Sequence, residues 1–124
     1  SRVVVGHCDA QVHDDPALDL DYYEQLIAFD AMLEFDLFGW GDEFYDDQIR
    51  VERLAALIEQ GHIDRLLVST DPCRISQFQH NGGRGYNYVF SYIIPALRKA
   101  GISAADVQRI TVTNPAQMLS LNQG

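Results

Sequence analysis

The 124-residue sequence has little positive charge, little cysteine and no long apolar segment. Its 9 basic side chains are outnumbered by 18 acidic ones, and the resulting net charge of −9 disfavours nucleic acid and anionic membranes as partners. No apolar run approaches the roughly 18 residues of a membrane span, and no basic stretch followed by an apolar one marks a signal peptide. The two cysteines, Cys8 and Cys73, are typical of free thiols in a reducing compartment, so we expect a cytoplasmic protein; a redox or ligand role is the alternative.

Histidine spacings of the kind that complete a metal site are missing as well. The four histidines never form His-x-His or His-x-x-x-His, so this chain alone cannot supply a full set of metal ligands. A histidine and an aspartate do follow two apolar stretches, because residues 3–5 run into His7 and residues 66–68 run into Asp71. In parallel α/β proteins the carboxyl ends of the strands form the active site, so His7 and Asp71 are candidate ligands of a divalent ion.

Short strands alternate with amphipathic helices along the whole chain. Apolar residues at helical spacing indicate the helices, and short apolar runs indicate the strands. Successive strand-helix-strand units place their strands parallel and side by side in one sheet. The predicted strands are residues 3–5, 31–36 and 66–70, and the predicted helices are residues 20–29, capped by Asp19 or Asp21, residues 46–60 and 88–99, a short helix from Ser103 and a last helix capped by Asn114.

The three predicted strands are too apolar to form the exposed edges of a small sheet. Strands that read as continuous apolar runs are normally buried on both faces, and unpaired apolar edges promote association. We therefore expect residues 1–124 to be part of a larger sheet or barrel.

Six motifs in order give the sequence a resemblance to a known family. They are Gly6-His7-Cys8-Asp9, Leu33 to Trp40, Ala56 to Gly61, Leu67 to Asp71, Gly82 to Tyr86 and Ile110 to Pro115. Together they resemble the phosphotriesterase family of the amidohydrolase superfamily, in particular its phosphotriesterase-related branch. The resemblance covers nearly the whole chain but only the C-terminal part of the family. It implies about three strand-helix units, similar to strands six to eight of a TIM (β/α)8 barrel, with the N-terminal part of the barrel absent.

The resemblance also implies a chemistry. Family members bind two divalent ions, usually zinc, and use a metal-bound hydroxide to hydrolyse a carboxylic ester, lactone, amide or phosphotriester. By this resemblance His7 is the metal ligand of the sixth strand, and Asp71 is both the ligand of the eighth strand and the catalytic base. The other ligands would come from the remainder of the barrel. The expected partners are a small-molecule substrate, the remainder of the barrel and, as a possibility, further copies in a homo-oligomer.

Five further residues are candidates for contact with the ligands or the substrate. Cys8 and Asp9 flank His7, although strand alternation lets only one of them face the pocket. Asp36 ends the middle strand and either orients a metal ligand or acts as a helix cap or ion-pair partner. Trp40 lies in a strand-to-helix loop and either contacts substrate or packs locally. Arg84 either binds an anionic substrate group or forms a surface ion pair.

Two alternatives to a phosphotriesterase-related hydrolase remain at this point. The segment is a non-catalytic truncated barrel that functions only with partner chains, or it belongs to a related amidohydrolase acting on a nucleobase or another cyclic amide. Hydrolases of the family often place a histidine or arginine directly after the aspartate of the middle strand. This chain has Leu37 there, which argues against phosphotriester or homoserine-lactone hydrolysis.

Overall fold

The computed structural model describes residues 3–41 and 44–120. Its three strands are β1 (Val4–Val5), β2 (Met32–Phe35) and β3 (Leu66–Val68), and β2 lies between the other two. Both pairings are parallel, with Val4 opposite Met32 and Leu33 opposite Leu66. The predicted strands, their order and their parallel direction are therefore confirmed.

The helices fall into four segments between and after the strands. The first two are α1 (Pro16–Ala28) and α2 (Asp47–Glu59), which precede β2 and β3 respectively. After β3, a π-helical turn (Val89–Ile93) continues directly into α3 (Ile94–Lys99). The last segment consists of α4 (Ala104–Gln108), a second π-helical turn (Arg109–Thr113) and α5 (Asn114–Leu119). Short 3-10 turns occupy Ile63–Arg65, Ile75–Gln77 and Gln79–Asn81.

Helix α1 begins four residues earlier than the sequence pattern predicted. Asp15 caps it by accepting a hydrogen bond from the backbone N–H of Ala17 at 3.0 Å, and Pro16 occupies the first position, where a missing N–H costs nothing. The predicted caps Asp19 and Asp21 both lie inside the helix, so that prediction was wrong. Asp19 is instead a buried member of an ion pair with α2.

The predicted cap Asn114 is also not a cap. The chain around it is helical on both sides, because the residue before it already has helical dihedral angles. Its buried side chain instead donates hydrogen bonds to the backbone oxygens of Ile63 and Leu66, at 2.8 and 2.9 Å. Asn114 thus fastens the last helical segment to the beginning of β3.

The apolar core lies between the sheet and the helices. Tyr23 of α1 packs against Phe35 of β2 with ring centroids 5.2 Å apart, which joins the first helix to the middle strand. Side chains from every helical segment after β1 close around the same strands. The fully buried apolar members are Tyr23, Leu33, Phe35, Val51, Leu54, Leu57, Leu66, Ile93, Leu97 and Ile110. No helix in the described part of the chain is long and apolar enough to cross a membrane.

Candidate active site at the carboxyl ends of the strands

The ends of the three strands bring three polar side chains together. His7 follows β1, Asp36 follows β2 and Asp71 follows β3. The Nδ1 atom of His7 lies 2.8 Å from Asp36 Oδ1, and its Nε2 atom lies 3.8 Å from Asp71 Oδ2. The backbone N–H of His7 also donates to both carboxylate oxygens of Asp36, at 3.0 and 3.1 Å. The side chains of His7 and Asp71 thus meet at one mouth of the sheet, as the sequence predicted.

Asp36 fixes the orientation of the His7 ring. Because a carboxylate only accepts hydrogen bonds, Nδ1 is the donor in this contact, and whenever the ring is neutral its lone pair lies at Nε2. The Asp36 side chain is 9% exposed, whereas those of His7 and Asp71 are 57% and 41% exposed. The hydrogen bond with Asp36 and its charge raise the pKa of His7; burial opposes this rise, and Asp71 and Asp9 add to it. The contact excludes neither of the remaining alternatives for Asp36, because an aspartate that orients the His7 ring and an ion-pair partner of His7 make the same 2.8 Å contact, so the orienting role stays a prediction.

The backbone is strained at the two outer members of this group. His7 has a φ angle of 54° and Asp71 one of 36°, which is the left-handed region that residues other than glycine seldom adopt. Such conformations cost on the order of 1–3 kcal/mol and cluster at functional sites, where surrounding structure holds them in place. The side chains of these two residues are the pair that lies 3.8 Å apart at the mouth of the sheet.

The sequence reasoning missed Glu34, a half-buried neighbour of this group. Burial raises its pKa, and the charges of Asp36 and Asp71 add to the rise while His7 opposes it. The sequence feature that could have revealed Glu34 is a carboxylate within an otherwise apolar strand. Gly6 makes room for this crowding, since a β-carbon there would lie 3.3 Å from Asp36 Oδ2 and 3.9 Å from Glu34 Oε2.

An imidazole nitrogen and a carboxylate, both solvent-facing, are ligand types that zinc and similar divalent ions accept. Within residues 3–41 and 44–120, however, no group of three or more such side chains is arranged to hold an ion. The residues present therefore fit one part of a metal site, and further ligands are needed to close it.

Cys8 and Asp9 are buried side chains, and neither is positioned for the substrate contact that the sequence suggested. The Cys8 thiol donates to the backbone oxygen of Glu34 at 3.1 Å, and burial raises the pKa of this thiol, which keeps it neutral. Asp9 is completely buried and pairs with the equally buried Arg50, whose Nε lies 2.6 Å from Asp9 Oδ2. Both residues face the interior of the segment, which corrects the predicted role.

The buried Asp9 instead supports the chain that carries Asp36. Its carboxylate accepts hydrogen bonds from the backbone N–H groups of Asp36 and Leu37, at 3.3 and 3.2 Å. Arg50 completes the arrangement by donating to the backbone oxygens of Asp9 and Tyr45. A series of contacts thus runs from α2 to His7. Arg50 pairs with Asp9, Asp9 bonds the backbone at the end of β2, and Asp36 at that end bonds His7.

Trp40 and Arg84 both line a cleft of about 290 Å³. Its walls are residues 38–41 after β2 and the loop of residues 70–85 after β3. Trp40 is fixed there by a hydrogen bond from Nε1 to the backbone oxygen of Thr70, at 3.1 Å. Trp40 also packs edge-on against Phe44 at a ring-centroid distance of 5.7 Å, so contact with a substrate stays a prediction. Arg74, which the sequence reasoning did not single out, lines the same cleft.

The structure defines a class of protein, a parallel α/β segment with a histidine and carboxylates at the carboxyl ends of its strands. The model of the phosphotriesterase family matches residues 1–119. The chain therefore belongs to the phosphotriesterase family.

Individual relatives agree with this assignment. The phosphotriesterase homology protein of Escherichia coli K12 is 38% identical over 117 residues, which cover 94% of this chain and 38% of that protein. The N-acetyltaurine hydrolase of Dictyostelium discoideum is 30% identical, covering 98% of this chain and 34% of that protein. The crystal structure of the E. coli protein, complexed with phosphate in its active site, superimposes with a TM-score of 0.84 at 37% identity, covering 93% of this chain and 37% of that one. The chain thus spans less than two fifths of the relatives it matches.

Proposed function

We propose that this chain is the C-terminal part of a metal-dependent hydrolase, similar to strands six to eight of a (β/α)8 barrel. The barrel formed when the remaining strands join it is called the complete enzyme below. The observation that carries the proposal is the His7 and Asp71 pair, 3.8 Å apart, with the far side of His7 anchored by a nearly buried Asp36. Membership of the phosphotriesterase family supports a hydrolytic reaction.

In the complete enzyme His7 Nε2 and the Asp71 carboxylate, 3.8 Å apart, would together hold a divalent ion. A bound divalent ion, which we propose to be zinc in a two-ion site, lowers the pKa of water to about 7 and so makes hydroxide available at neutral pH. The Asp71 carboxylate would accept the proton of the attacking water, because it faces solvent beside His7 Nε2. Asp36 keeps the His7 ring aimed at this point throughout.

The substrate class that fits the family is a small molecule with a carboxylic ester, lactone or amide bond. One relative is named for hydrolysing N-acetyltaurine, and its amide bond falls in this class. Leu37 follows Asp36 in place of the histidine or arginine common among the hydrolases, so we rank phosphotriesters below carboxylic substrates. We further propose a cytoplasmic location and assembly into a homo-oligomer.

A non-catalytic segment that acts only with partner chains is the second candidate. Both candidates expect that the described residues hold no closed group of three metal ligands, so this finding does not distinguish them. The two candidates differ in a measurable way. If the segment is non-catalytic, the complete barrel lacks both bound metal and turnover.

The isolated 124-residue chain is expected to be inactive and to self-associate. Apolar side chains lie exposed near both outer strands, including Val3 beside β1 and Phe90 and Val112 near β3, at 55%, 69% and 56% exposure. Unpaired strand edges next to apolar side chains promote association. Size-exclusion chromatography with an ester and lactone hydrolysis assay tests this, with the complete enzyme as control. A monodisperse, metal-loaded and active monomer would contradict the partial-barrel proposal.

Asp36→Asn is expected to weaken metal binding in the complete enzyme by about 10- to 100-fold, the usual effect of losing a carboxylate that orients a histidine ligand. The amide keeps the size of Asp36 but presents a weaker and differently oriented acceptor to His7 Nδ1. Competition with a coloured chelator measures the affinity. Asp64→Asn is the control, because Asp64 is exposed and pairs with Arg109. An unchanged metal affinity in Asp36→Asn would contradict the proposal that Asp36 orients His7 as a ligand.

A further inference from the structure

The carboxylate of Asp47 contacts both walls of the cleft beside the candidate active site. Asp47 is the first residue of α2, and its side chain is only 6% exposed. It accepts hydrogen bonds from the backbone N–H of Gly39, at 3.0 Å to Oδ1 and 3.2 Å to Oδ2. Gly39 belongs to the wall that follows β2, and Trp40 comes directly after it. Asp47 therefore fixes the backbone next to Trp40.

The same carboxylate holds the end of the loop after β3. The Tyr88 hydroxyl donates a hydrogen bond to Asp47 Oδ2 at 2.7 Å, and Nη1 of Arg84 lies 3.5 Å from the same oxygen. Arg84 also donates to the Tyr88 hydroxyl at 3.1 Å. Burial raises the pKa of Tyr88, and the hydrogen bond with Asp47 raises it further, so this hydroxyl keeps the proton that it donates. Contact of Arg84 with an anionic substrate group stays a prediction.

Glycine lets the two walls approach each other at this point. A β-carbon at Gly39 would lie 3.2 Å from Tyr88 Cδ1 and 3.3 Å from Arg84 Cδ. The φ angle of Gly39 is +89°, a conformation that residues with a side chain seldom adopt. Tyr88 in turn stacks on Tyr92, with ring centroids 4.9 Å apart. The walls thus come closest together where Asp47 binds both of them.

The loop after β3 is folded tightly on itself. It comprises residues 69–88, between β3 and the π-helical turn that begins at Val89. The backbone N–H of Gly85 donates to the backbone oxygen of Gln77 at 2.8 Å, and a β-carbon at Gly83 would lie 2.2 Å from that oxygen. Long loops on a rigid scaffold often carry binding residues. The contacts with Asp47 therefore determine how far this loop stands from the opposite wall.

We propose that Asp47 is a positioning residue for the substrate, because it keeps the cleft in the shape that receives the part of the substrate that does not react. Asp47 is not among the described residues that line the cleft, so it acts through the two walls. The inference rests on the proposed hydrolase function, since Thr70 in the cleft wall directly precedes Asp71. Asp47 thus affects substrate binding and leaves the chemistry to His7 and Asp71.

The first part of the test is steady-state kinetics of the complete, metal-loaded enzyme. The probes are an ester, a lactone and an amide, namely p-nitrophenyl butyrate, δ-decanolactone and N-acetyltaurine. The variants are Asp47→Asn, which keeps the shape of the side chain, and Tyr88→Phe, which keeps the ring and removes only the donor. Asp46→Asn is the matched control, because Asp46 is an exposed neighbour that caps α2 through Gln48 N, and asparagine caps a helix equally well.

The second part reports the position of the cleft wall without any turnover. Trp40 is the only tryptophan in residues 1–124, so 5-fluorotryptophan places a single ¹⁹F label in this segment. The signal of Trp40 in the complete enzyme is identified by its loss in Trp40→Phe. We expect the same sharp signal in the wild-type enzyme and in Asp46→Asn, and a shifted or broadened signal in Asp47→Asn, because the backbone next to Trp40 loses its anchor.

We expect Asp47→Asn to raise KM by about tenfold or more, and Tyr88→Phe by about 3- to 10-fold, the range for lost hydrogen bonds to a charged group. Because uniform binding is what is lost, kcat and bound metal should stay within about threefold of the wild-type values. Tyr88→Phe decides the matter if Asp47→Asn does not fold.

Three results would overturn the inference. They are an unchanged Trp40 signal, an unchanged KM in both variants, and a lower melting temperature and kcat with KM as in Asp46→Asn, which is the pattern of a merely structural residue. A changed Trp40 signal in Asp47→Asn, together with no hydrolysis of any probe by the wild-type enzyme, supports the positioning of the walls and contradicts the proposed function.

Discussion

Replacing Asp71 with asparagine in the complete enzyme is expected to lower kcat by about 10²- to 10⁴-fold, the range typical for loss of a positioned general base. Asparagine has nearly the same shape but cannot accept the proton, and it is a weaker metal ligand than a carboxylate. Asp71 is 41% exposed at the mouth of the sheet, so its replacement should leave folding intact. Initial-rate kinetics together with metal analysis measure the effect.

His7→Ala separates ligation from proton transfer in the same assay. We expect this variant to lose bound metal first and activity as a consequence, because His7 Nε2 is the nitrogen that faces Asp71. Asp21→Asn is the matched control, since Asp21 is an exposed residue of α1 that bonds Gln25. Normal metal content and normal turnover in both His7→Ala and Asp71→Asn would refute the assigned roles.

Replacing Arg50 with methionine is expected to destabilise the fold by about 3–5 kcal/mol, the cost of leaving a buried charge unpaired. Arg50 and Asp9 are both fully buried, and their closest atoms are 2.6 Å apart. Asp9 also accepts a hydrogen bond from the backbone N–H of Asp36, so loss of the ion pair affects the chain that carries Asp36. Urea unfolding measures the loss, and Arg109→Met is the control, because an exposed ion pair contributes only about 0–1 kcal/mol.

The pH dependence gives this prediction a second check. Burial raises the pKa of Asp9, and the charge and hydrogen bond of Arg50 oppose that rise. Without Arg50 the folded-state pKa rises further above its unfolded value, so protonation as the pH falls through that folded pKa restores stability. The deficit of Arg50→Met should therefore be smaller in mildly acidic buffer than at neutral pH. A deficit that is small at every pH, or that grows on acidification, would show that the pair does not support the fold.

The strands and the metal-ligand candidates could be read from the sequence because they rest on local patterns. An apolar run followed directly by a histidine or an aspartate predicts both the strand and the polar strand end, and the structure places His7 and Asp71 at one mouth as expected. For Asp36 the sequence could not show which side chain it would contact. The sequence left Asp36 between a helix cap, an ion-pair partner and an orienting role, and the structure supplies the partner, His7, at 2.8 Å.

Charged residues in the interior were the part that sequence reasoning could not predict. Arg50 and Arg53 lie on the same face of α2 as Leu54 and Leu57, where arginine normally signals a solvated surface. Their partners Asp9 and Asp19 are 41 and 34 positions away, so no short-range spacing reveals the pairs. For the same reason the expectation of a substrate contact for Asp9 was wrong, and so was the helix cap assigned to Asp19.

The most direct test of the whole account is a crystal structure of the complete, metal-loaded enzyme with the ions located by anomalous scattering. The account predicts a divalent ion within about 2.0–2.2 Å of His7 Nε2 and of an Asp71 carboxylate oxygen, with Asp36 still bonded to Nδ1. A complete barrel whose ions lie away from both side chains, or in which His7 turns Nε2 away from the mouth of the sheet, would contradict it.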